Sequence, residues 1–491
     1  MESLQVLFLI LIFLFFALMM FFRKIPALIA LPLMAFFIAL VGGVHFNDII
    51  QFVIGEGSLK LYQAYTIAIF GSMLSILMQK TGVAEAFIKK GAELSGDNPW
   101  IIAVIMLLLI ISLFTTLGGL GAIIMVATIV LPIMSSVGIG PMTSVGIFLF
   151  GLSIGGILNV GNWAVYISVM GLTVNEIRPF ALIMLITSTL VAVSYITIQL
   201  YKDGHQINFK SILIKSLTLI LVIALIYYSY NFLLNNDSQN LLNNFLANLG
   251  FYLKVLIAAL AIILFAIALI RIILKKNENI TQPHWISFFS PFLPLLLILL
   301  FDVNFIASFI LGLLFAFLST YKKGSLNLFI KSCFEGGGVV MPAVALMFGI
   351  GMLLVAIMGP GIELSSYSNG WPVLNLIKPL MIQIIPSNAF AYVLTFTLAA
   401  PLALYRGPLN VWGMGYGLAA VFLASGMIPA SVMGLLMAVG QIQGISDPTN
   451  THNVWLANEM RVDVQKVLWN TIPYTWILAI IGLIISAVMF F

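Results

Sequence analysis

Apolar segments of this chain run for about 20 residues each, which is the length of a membrane-crossing helix. Polar residues interrupt two of these segments, with LNVGNW at Leu158–Trp163 and GQIQGISDPTNTHNVWLAN at Gly440–Asn458. An unpaired polar group in hydrocarbon costs several kcal/mol, so unwound backbone at that depth occurs where it lines a cavity. The pattern therefore predicts two discontinuous helices, at 142–172 and 429–463, around a binding site near the middle of the membrane.

Two further apolar segments are interrupted by glycine-containing runs, TTLGGLG at Thr115–Gly121 and YRGPLN at Tyr405–Asn410. Apolar arms that meet at such a tip are typical of re-entrant hairpins, which we predict at 99–137 and 388–425. An amphipathic helix at Val83–Leu94 is predicted to lie along the membrane interface. The plain helices are predicted at Leu4–Phe22, Ile25–Val44, Tyr62–Met78, Phe180–Tyr201, Ser211–Tyr230, Phe251–Ile273, Trp285–Phe301, Asn304–Tyr321, from the glycine run Gly336–Gly338 to Met358, and at Thr471–Phe491.

The two halves of the chain match at fixed offsets. Pro141 and Pro429 are 288 residues apart, and the same offset pairs Asn159 with Asp447. It also pairs Gly119 with Gly407, Gly138 with Gly426, Gly146 with Gly434, Gly156 with Gly444, and Asn162 with Asn450. Glu56-Gly57 and Glu335-Gly336 are 279 residues apart. We therefore predict a first transmembrane repeat at 1–201, a linking helical hairpin and cytoplasmic loop at 202–283, and a second repeat at 284–491.

Charge gives the orientation of these repeats. The loop Leu233–Asn248 has no Lys or Arg and is predicted to lie outside, whereas basic loops are predicted to be cytoplasmic. The basic loops contain Arg23-Lys24, Lys80, Lys89, Lys90, Lys202, Lys210, Arg271, Lys275, Lys276 and Lys322-Lys323. With both hairpins re-entrant, the two repeats are inverted relative to each other. The predicted fold is an all-α polytopic membrane protein, an inverted repeat of transmembrane helices with two re-entrant hairpins and two discontinuous helices.

Composition supports the same class. Hydrophobic residues make up 62% of the 491 residues and charged residues 8%, with a mean hydropathy of +1.16, which excludes a soluble globular domain. The net charge of +5 is spread over short loops, so it indicates orientation and not nucleic-acid binding. Cys333 is the single cysteine, so the chain has no internal disulfide.

Arg406 and Asp447 are the candidate charged groups of the site. Arg406 lies at the second hairpin tip, and its guanidinium suits a carboxylate bidentately, unless it reaches the surface or pairs with Glu363 or Asp447. Asp447 precedes a proline, so it is either a cap for the half-helix that follows or a site for a coupling ion. As an ion site it would hold Na⁺ together with Thr449 and Asn450, or it would carry a proton.

The other polar residues of the breaks also have two interpretations. The matched Asn162 and Asn450 either contact the substrate and ion or satisfy the unwound backbone, and His452 is either a proton relay or a hydrogen-bonding residue. Glu56 and Glu335 are interpreted as structural. No catalytic triad, nucleotide-binding loop or zinc spacing is present in the sequence, so we predict that the protein is not an enzyme. A passive channel is also disfavoured, because a channel would have continuous pore helices and two of the helices predicted here are broken.

Two stretches carry a family resemblance. THNVWLANEMRVDVQKVLWNTIPYTW (Thr451–Trp476) is similar to the C-terminal signature of gluconate–proton symporters, and GSMLSILMQKTGVAEAFIKK (Gly71–Lys90) resembles an early motif of gluconate and sodium/proton carriers. Together with the two hairpins and two broken helices, they resemble the ion transporter superfamily, which includes the citrate–metal symporters. The Ser-Asn-Thr tips of that superfamily's sodium–dicarboxylate branch are absent here.

The resemblance implies that hairpin tips and helix breaks bind substrate and ion. The expected substrate-binding residues are Thr115, Thr116, Gly118, Gly119, Asn162, Arg406, Gly407, Asn410, Thr451 and His452. The expected coupling-ion residues are Asn159, Gly161, Asp447, Thr449 and Asn450. We thus predict a secondary active transporter of a small organic anion in the cytoplasmic membrane, coupled to H⁺ or Na⁺, with no other cofactor. We expect a homodimer, and the alternative function is a Na⁺/H⁺ antiporter of the same superfamily.

Overall fold

The computed structural model describes residues 2–22, 24–94, 96–206, 218, 236–274, 282–362, 364, 366–367, 370–386, 388–411 and 415–491. The predicted span Ser211–Tyr230 lies outside these residues apart from position 218, and so do Glu363, Lys210, Lys275 and Lys276. Within the described residues the chain is helical and contains no strand. The predicted all-α fold class is confirmed.

The described part of the first half is helical over most of its length. Its helices are α1 (Glu2–Phe21), α2 (Ala27–Val41), α3 (Phe46–Asp48, continued by the π-helical segment Ile49–Glu56 and by Gly57–Leu59), α4 (Tyr62–Lys80), α5 (Val83–Leu94), α6 (Pro99–Phe114), α7 (Leu120–Ser136), α8 (Pro141–Ile157), α9 (Val160–Met170) and α10 (Val174–Lys202). Pro141 stands at the first helical position of α8, where its missing N–H leaves no hydrogen bond unmade.

The described part of the second half is also mostly helical. Its helices are α11 (Asn236–Ile273), α12 (Leu293–Phe301), α13 (Phe305–Ser319), α14 (Ser325–Met358), α15 (Pro372–Ile384), α16 (Ala389–Ala399), α17 (Tyr416–Ala424), α18 (Pro429–Ser446), α19 (Thr451–Glu459) and α20 (Val464–Phe490). Short 3₁₀ segments occupy Trp285–Phe289 and Ala400–Arg406. Pro429 begins α18 as Pro141 begins α8.

Seven helical stretches among the described residues are long and apolar enough to cross a membrane, or eight when α8 and α9, bent by 48° at their break, count as one span. The protein is therefore a multi-pass helical membrane protein. The most extensive packing is of α14 against α4 and α2 and of α18 against α20, and α18 also packs against α8, whereas α1 and α11 are mostly exposed. The re-entrant course of the two hairpins stays a prediction.

Two predicted boundaries were wrong. Helix α14 begins at Ser325 and runs through the glycine run, which the sequence analysis placed before the helix. Glycines persist in membrane helices where a second helix approaches closely. Helix α11 begins at Asn236, so most of the predicted loop Leu233–Asn248 is helical. Leu241, Phe245 and Leu249 recur at helical spacing within that asparagine-rich stretch.

Two glycine contacts relate α14 to the helices of the first half. A Cβ on Gly336 would lie 2.6 Å from the Met73 Cα, and a Cβ on Gly57 would lie 2.8 Å from the Met352 Cα. Gly57 and Gly336 are 279 residues apart, and so are Met73 and Met352. The matched helices therefore meet at equivalent positions, and each contact requires a residue without a side chain.

We expect Gly336→Ala to lower the stability of the protein, because its methyl group would separate α14 from α4 by forcing backbone apart. Overpacking of this kind costs about 1–3 kcal/mol. The matched control is Gly338→Ala in the same helix, where no atom of the described part of the chain lies within 4 Å of the added Cβ. Thermal unfolding in detergent should show a lower midpoint for Gly336→Ala and an unchanged or higher one for Gly338→Ala. Equal midpoints for the two variants would contradict the contact.

Candidate functional site

At the second helix break, side chains that follow the break form hydrogen bonds with the end of the preceding half-helix. Helix α18 ends at Ser446, and its last turn leaves carbonyl oxygens without helical partners. Three side chains donate to them: Asn450 Nδ2 to Gln443 O at 2.6 Å, His452 Nε2 to Gly444 O at 3.3 Å, and Asn453 Nδ2 to Ile445 O at 3.0 Å. The polar run after the break therefore caps the half-helix before it.

The first break uses the same device. Asn162 Nδ2 donates to Gly156 O at 2.8 Å, and Trp163 Nε1 donates to Ile157 O at 2.7 Å. Trp163 is fully buried, so it does not lie at the membrane interface, where tryptophans are commonly found. The backbone-satisfying interpretation of Asn162 and Asn450 thus describes their amide groups, while both residues remain partly exposed.

Asp447 connects the second break to the second hairpin tip. Its carboxylate is fully buried and accepts four hydrogen bonds. Oδ1 accepts from Tyr405 N at 3.1 Å, Thr449 N at 2.9 Å and Thr449 Oγ1 at 2.7 Å, and Oδ2 accepts from Asn410 Nδ2 at 3.3 Å. Two of these donors, Tyr405 and Asn410, belong to the tip. Asp447 therefore holds the tip against the break.

Asn159 makes the corresponding connection in the first half with the opposite polarity. Its Oδ1 accepts from Gly161 N at 3.0 Å, while its Nδ2 donates to Phe114 O at 3.0 Å and to Leu117 O at 3.4 Å. The first tip presents carbonyl oxygens, so this position needs a donor. The second tip presents N–H groups, so Asp447 meets them with an acceptor. Donor and acceptor matching therefore gives a structural reason for the Asn159–Asp447 difference.

Arg406 lies at the second tip with its side chain exposed. Tyr405 and Arg406 both have positive φ, 54° and 58°, a left-handed conformation that costs a non-glycine residue about 1–2 kcal/mol. Backbone strain of this kind persists where surrounding contacts impose it, often at functional sites. Arg406 forms no ion pair with another described residue, Asp447 included.

Two cavities meet between the breaks and the first tip. The inter-break cavity, about 190 Å³, has polar lining from Asn162, Asn450, His452, Gln441, Gln443 and Ser153. The tip cavity, about 300 Å³, lies between the first tip and helices α4, α13 and α14 and is lined by Thr116, Gly118, Gly119, Asn159, Gly161 and Asn162 among others. Gly156 and Asn162 line both.

The other predicted site residues lie outside these two cavities. Thr449 and Asn410 surround Asp447, and Gly407 is buried in the second tip. Thr115 is buried and donates to Ser112 O at 2.8 Å, whereas Thr451 is exposed. Their roles toward substrate or ion stay predictions. No group of three or more His, Cys, Asp or Glu residues in the described part of the chain is placed to hold a metal ion.

Sequence reasoning missed Ser153, Gln441 and Gln443 as lining residues. Ser153 Oγ donates to Gln441 Oε1 at 2.9 Å, and these two residues are 288 positions apart. Gln443 Oε1 accepts from Val411 N at 2.7 Å. The available signal was two glutamines at Gln441 and Gln443 within an apolar helix, just before the break.

The fold and these cavities define a multi-pass membrane protein with two broken helices around internal polar cavities. No protein-family model matches the chain, and no curated protein matches it. Among solved structures, it is similar to the Alcanivorax borkumensis YdaH transporter, whose reported topology is unusual, with a TM-score of 0.49 and 14% sequence identity. The similarity covers 88% of this chain and 86% of that chain. The resemblance to the ion transporter superfamily stays a prediction.

We expect Asp447→Ala to destabilise the protein by about 2–4 kcal/mol, because it leaves several buried donors without an acceptor. Asp447→Asn keeps one acceptor oxygen and faces Asn410 with an amide, so its cost should be about 1 kcal/mol. Thermal unfolding of both variants beside the wild type measures the difference. A smaller loss for Asp447→Ala than for Asp447→Asn would show that these hydrogen bonds do not hold the tip.

Proposed function

We propose that the protein is a secondary active transporter of a small organic carboxylate, coupled to H⁺ or Na⁺. The observation that carries the proposal is the inter-break cavity. It is lined by residues from the first turns of α9 and α19, the two half-helices that follow the breaks. Asn162 from the first turn of α9 and His452 from the first turn of α19 both line it. A binding site formed by discontinuous helices near the middle of the membrane is the arrangement of secondary transporters.

The α19 N-terminus supports an anionic substrate. Asn450 is the N-cap residue, yet no described side chain caps this helix, because the Asn450 amide donates backwards to α18. The first-turn N–H groups are therefore left for another acceptor. A helix N-terminus carries about half a positive elementary charge, which favours a carboxylate. Among the described residues, those that line the cavity include amides, hydroxyls and His452 but no Asp or Glu.

Asp447 supports coupling to a cation. Asp447 is buried and lies three residues before Asn450, which lines the inter-break cavity. Its carboxylate oxygens accept hydrogen bonds from four donor groups. Na⁺ or a proton at Asp447 would compete with the donors from the second tip, so ion binding would release the tip. Ion and anion would then each favour the other's binding, a reciprocal coupling of about 1–3 kcal/mol.

A Na⁺/H⁺ antiporter is the second candidate function. The observation in its favour is that Asp447 is fully buried and forms no ion pair with another described residue. A buried carboxylate without a cationic partner suits alternating occupation by Na⁺ and H⁺. Transport of a cation without any carboxylate would favour this function over the symporter.

We expect Gly440→Leu to reduce carboxylate uptake strongly without unfolding the protein. Gly440 lines the inter-break cavity, and its added Cβ would lie 3.5 Å from Val411 Cγ2, an ordinary contact. The leucine side chain would occupy the substrate volume and weaken binding by about tenfold or more. The measurement is uptake of a panel of carboxylates into proteoliposomes under H⁺ and Na⁺ gradients.

Gly250→Leu is the matched control, since no atom of the described residues lies within 4 Å of its added Cβ on α11. It should transport at the wild-type rate. Full uptake by Gly440→Leu would exclude the inter-break cavity as the substrate site. Wild-type protein that accumulates no carboxylate under either gradient would refute the symporter itself.

We expect Arg406→Gly to stabilise the protein by about 1 kcal/mol, because glycine adopts the positive φ of this position without strain. If Arg406 binds the substrate carboxylate, the same variant should lose uptake, and Arg406→Lys should weaken it because lysine lacks the bidentate fork. Thermal unfolding and uptake are measured on the same preparations. Wild-type uptake by both variants would exclude Arg406 as a substrate ligand.

A further inference from the structure

A surface cleft separate from the polar cavities lies where α10 ends and α20 begins. Its volume is about 620 Å³, and its lining includes Lys202, Lys466, Trp469, Asn470, Pro473 and Tyr474. Lys202 is the last residue of α10, and Lys466 lies in the first turn of α20. Because both helices are long and apolar enough to cross the membrane, the cleft lies at the depth of lipid headgroups.

The positive charge of this cleft is not neutralised by ion pairs. Neither Lys202 nor Lys466 forms an ion pair with another described residue. The neighbouring acids have other hydrogen-bond donors: Asp203 Oδ2 accepts from Gly140 N at 2.9 Å, and Asp463 Oδ1 accepts from Gln465 N at 2.7 Å. Two exposed lysines from different helices therefore face a common cleft, which suits a phosphate.

The other residues that line the cleft are apolar side chains and the Asn470 amide, which a hydrogen bond holds in place. The Trp469 side chain is 72% exposed, and exposed tryptophans are typical of the headgroup region of a bilayer. Tyr195 Oη donates to Asn470 Oδ1 at 2.7 Å, which leaves the Asn470 Nδ2 group as a donor. Pro473 and Met142 add apolar surface beside it. A ligand with a charged head and an apolar body matches these features better than a free ion does.

We infer that this cleft binds an anionic phospholipid, with the phosphate between Lys202 and Lys466 and an acyl chain along Trp469 and Pro473. Lys202 belongs to the loop predicted to be cytoplasmic, and the cytoplasmic leaflet is the one that attracts basic groups through its anionic lipids. The inference does not depend on the transport function, because it concerns a separate surface of the protein.

Native mass spectrometry of the full chain in detergent tests this inference, with phosphatidylglycerol and phosphatidylcholine of the same acyl chains as probes. The wild type should retain phosphatidylglycerol in preference to phosphatidylcholine. The double variant Lys202→Gln/Lys466→Gln should bind phosphatidylglycerol about twenty-fivefold more weakly, since each lysine near an anionic membrane surface contributes about fivefold. Trp469→Ala should weaken binding of both lipids and leave the preference in place.

The matched control is Lys89→Gln/Lys90→Gln on α5, which removes the same charge from two exposed lysines elsewhere. It should keep the wild-type affinity. An equal loss in this control would show a general charge effect and overturn the inference, as would unchanged binding in Lys202→Gln/Lys466→Gln. Inorganic phosphate is the third probe: if it protects the protein against thermal unfolding as well as phosphatidylglycerol does, the cleft is an anion site and not a lipid site.

Discussion

The structure depends on one constraint, that a helix broken inside the membrane must find partners for the backbone groups it exposes. Water is absent at that depth, so the chain itself supplies these partners. Asn162 and Trp163 bind the end of α8, and Asn450, His452 and Asn453 bind the end of α18. Because these donors are directed backwards, the next half-helix can begin at the edge of a cavity.

The same constraint gives the site its charge. Each hairpin tip is held by one polar side chain from a break, and its polarity follows the backbone groups that the tip presents. Asn159 donates to carbonyl oxygens at the first tip, and Asp447 accepts from N–H groups at the second. A carboxylate in this position can hold the tip and also attract a cation, so the structural role of Asp447 is compatible with the proposed ion-binding role.

Much of this was predictable, because polar residues inside an apolar chain are conspicuous. The two breaks, the two glycine-containing tips and the matched asparagines all followed from such residues. Gln441 and Gln443 were missed because they lie within an α-helix, where sequence does not show which face meets a cavity. The course of α14 was misjudged because glycine ends a helix in water but permits close packing in a membrane. The role of Trp163 follows from its burial, which residue type alone does not show.

The hydrogen bond between Ser153 and Gln441 has an evolutionary consequence. If the two matched halves are related by a two-fold axis, residues such as these, which are 288 positions apart and touch each other, lie on that axis. If the halves arose by duplication of one gene, the same side chain first stood on both sides of that axis. Two serines or two glutamines would have faced each other there, and divergence to an unequal pair then made the two halves distinguishable at the centre of the protein.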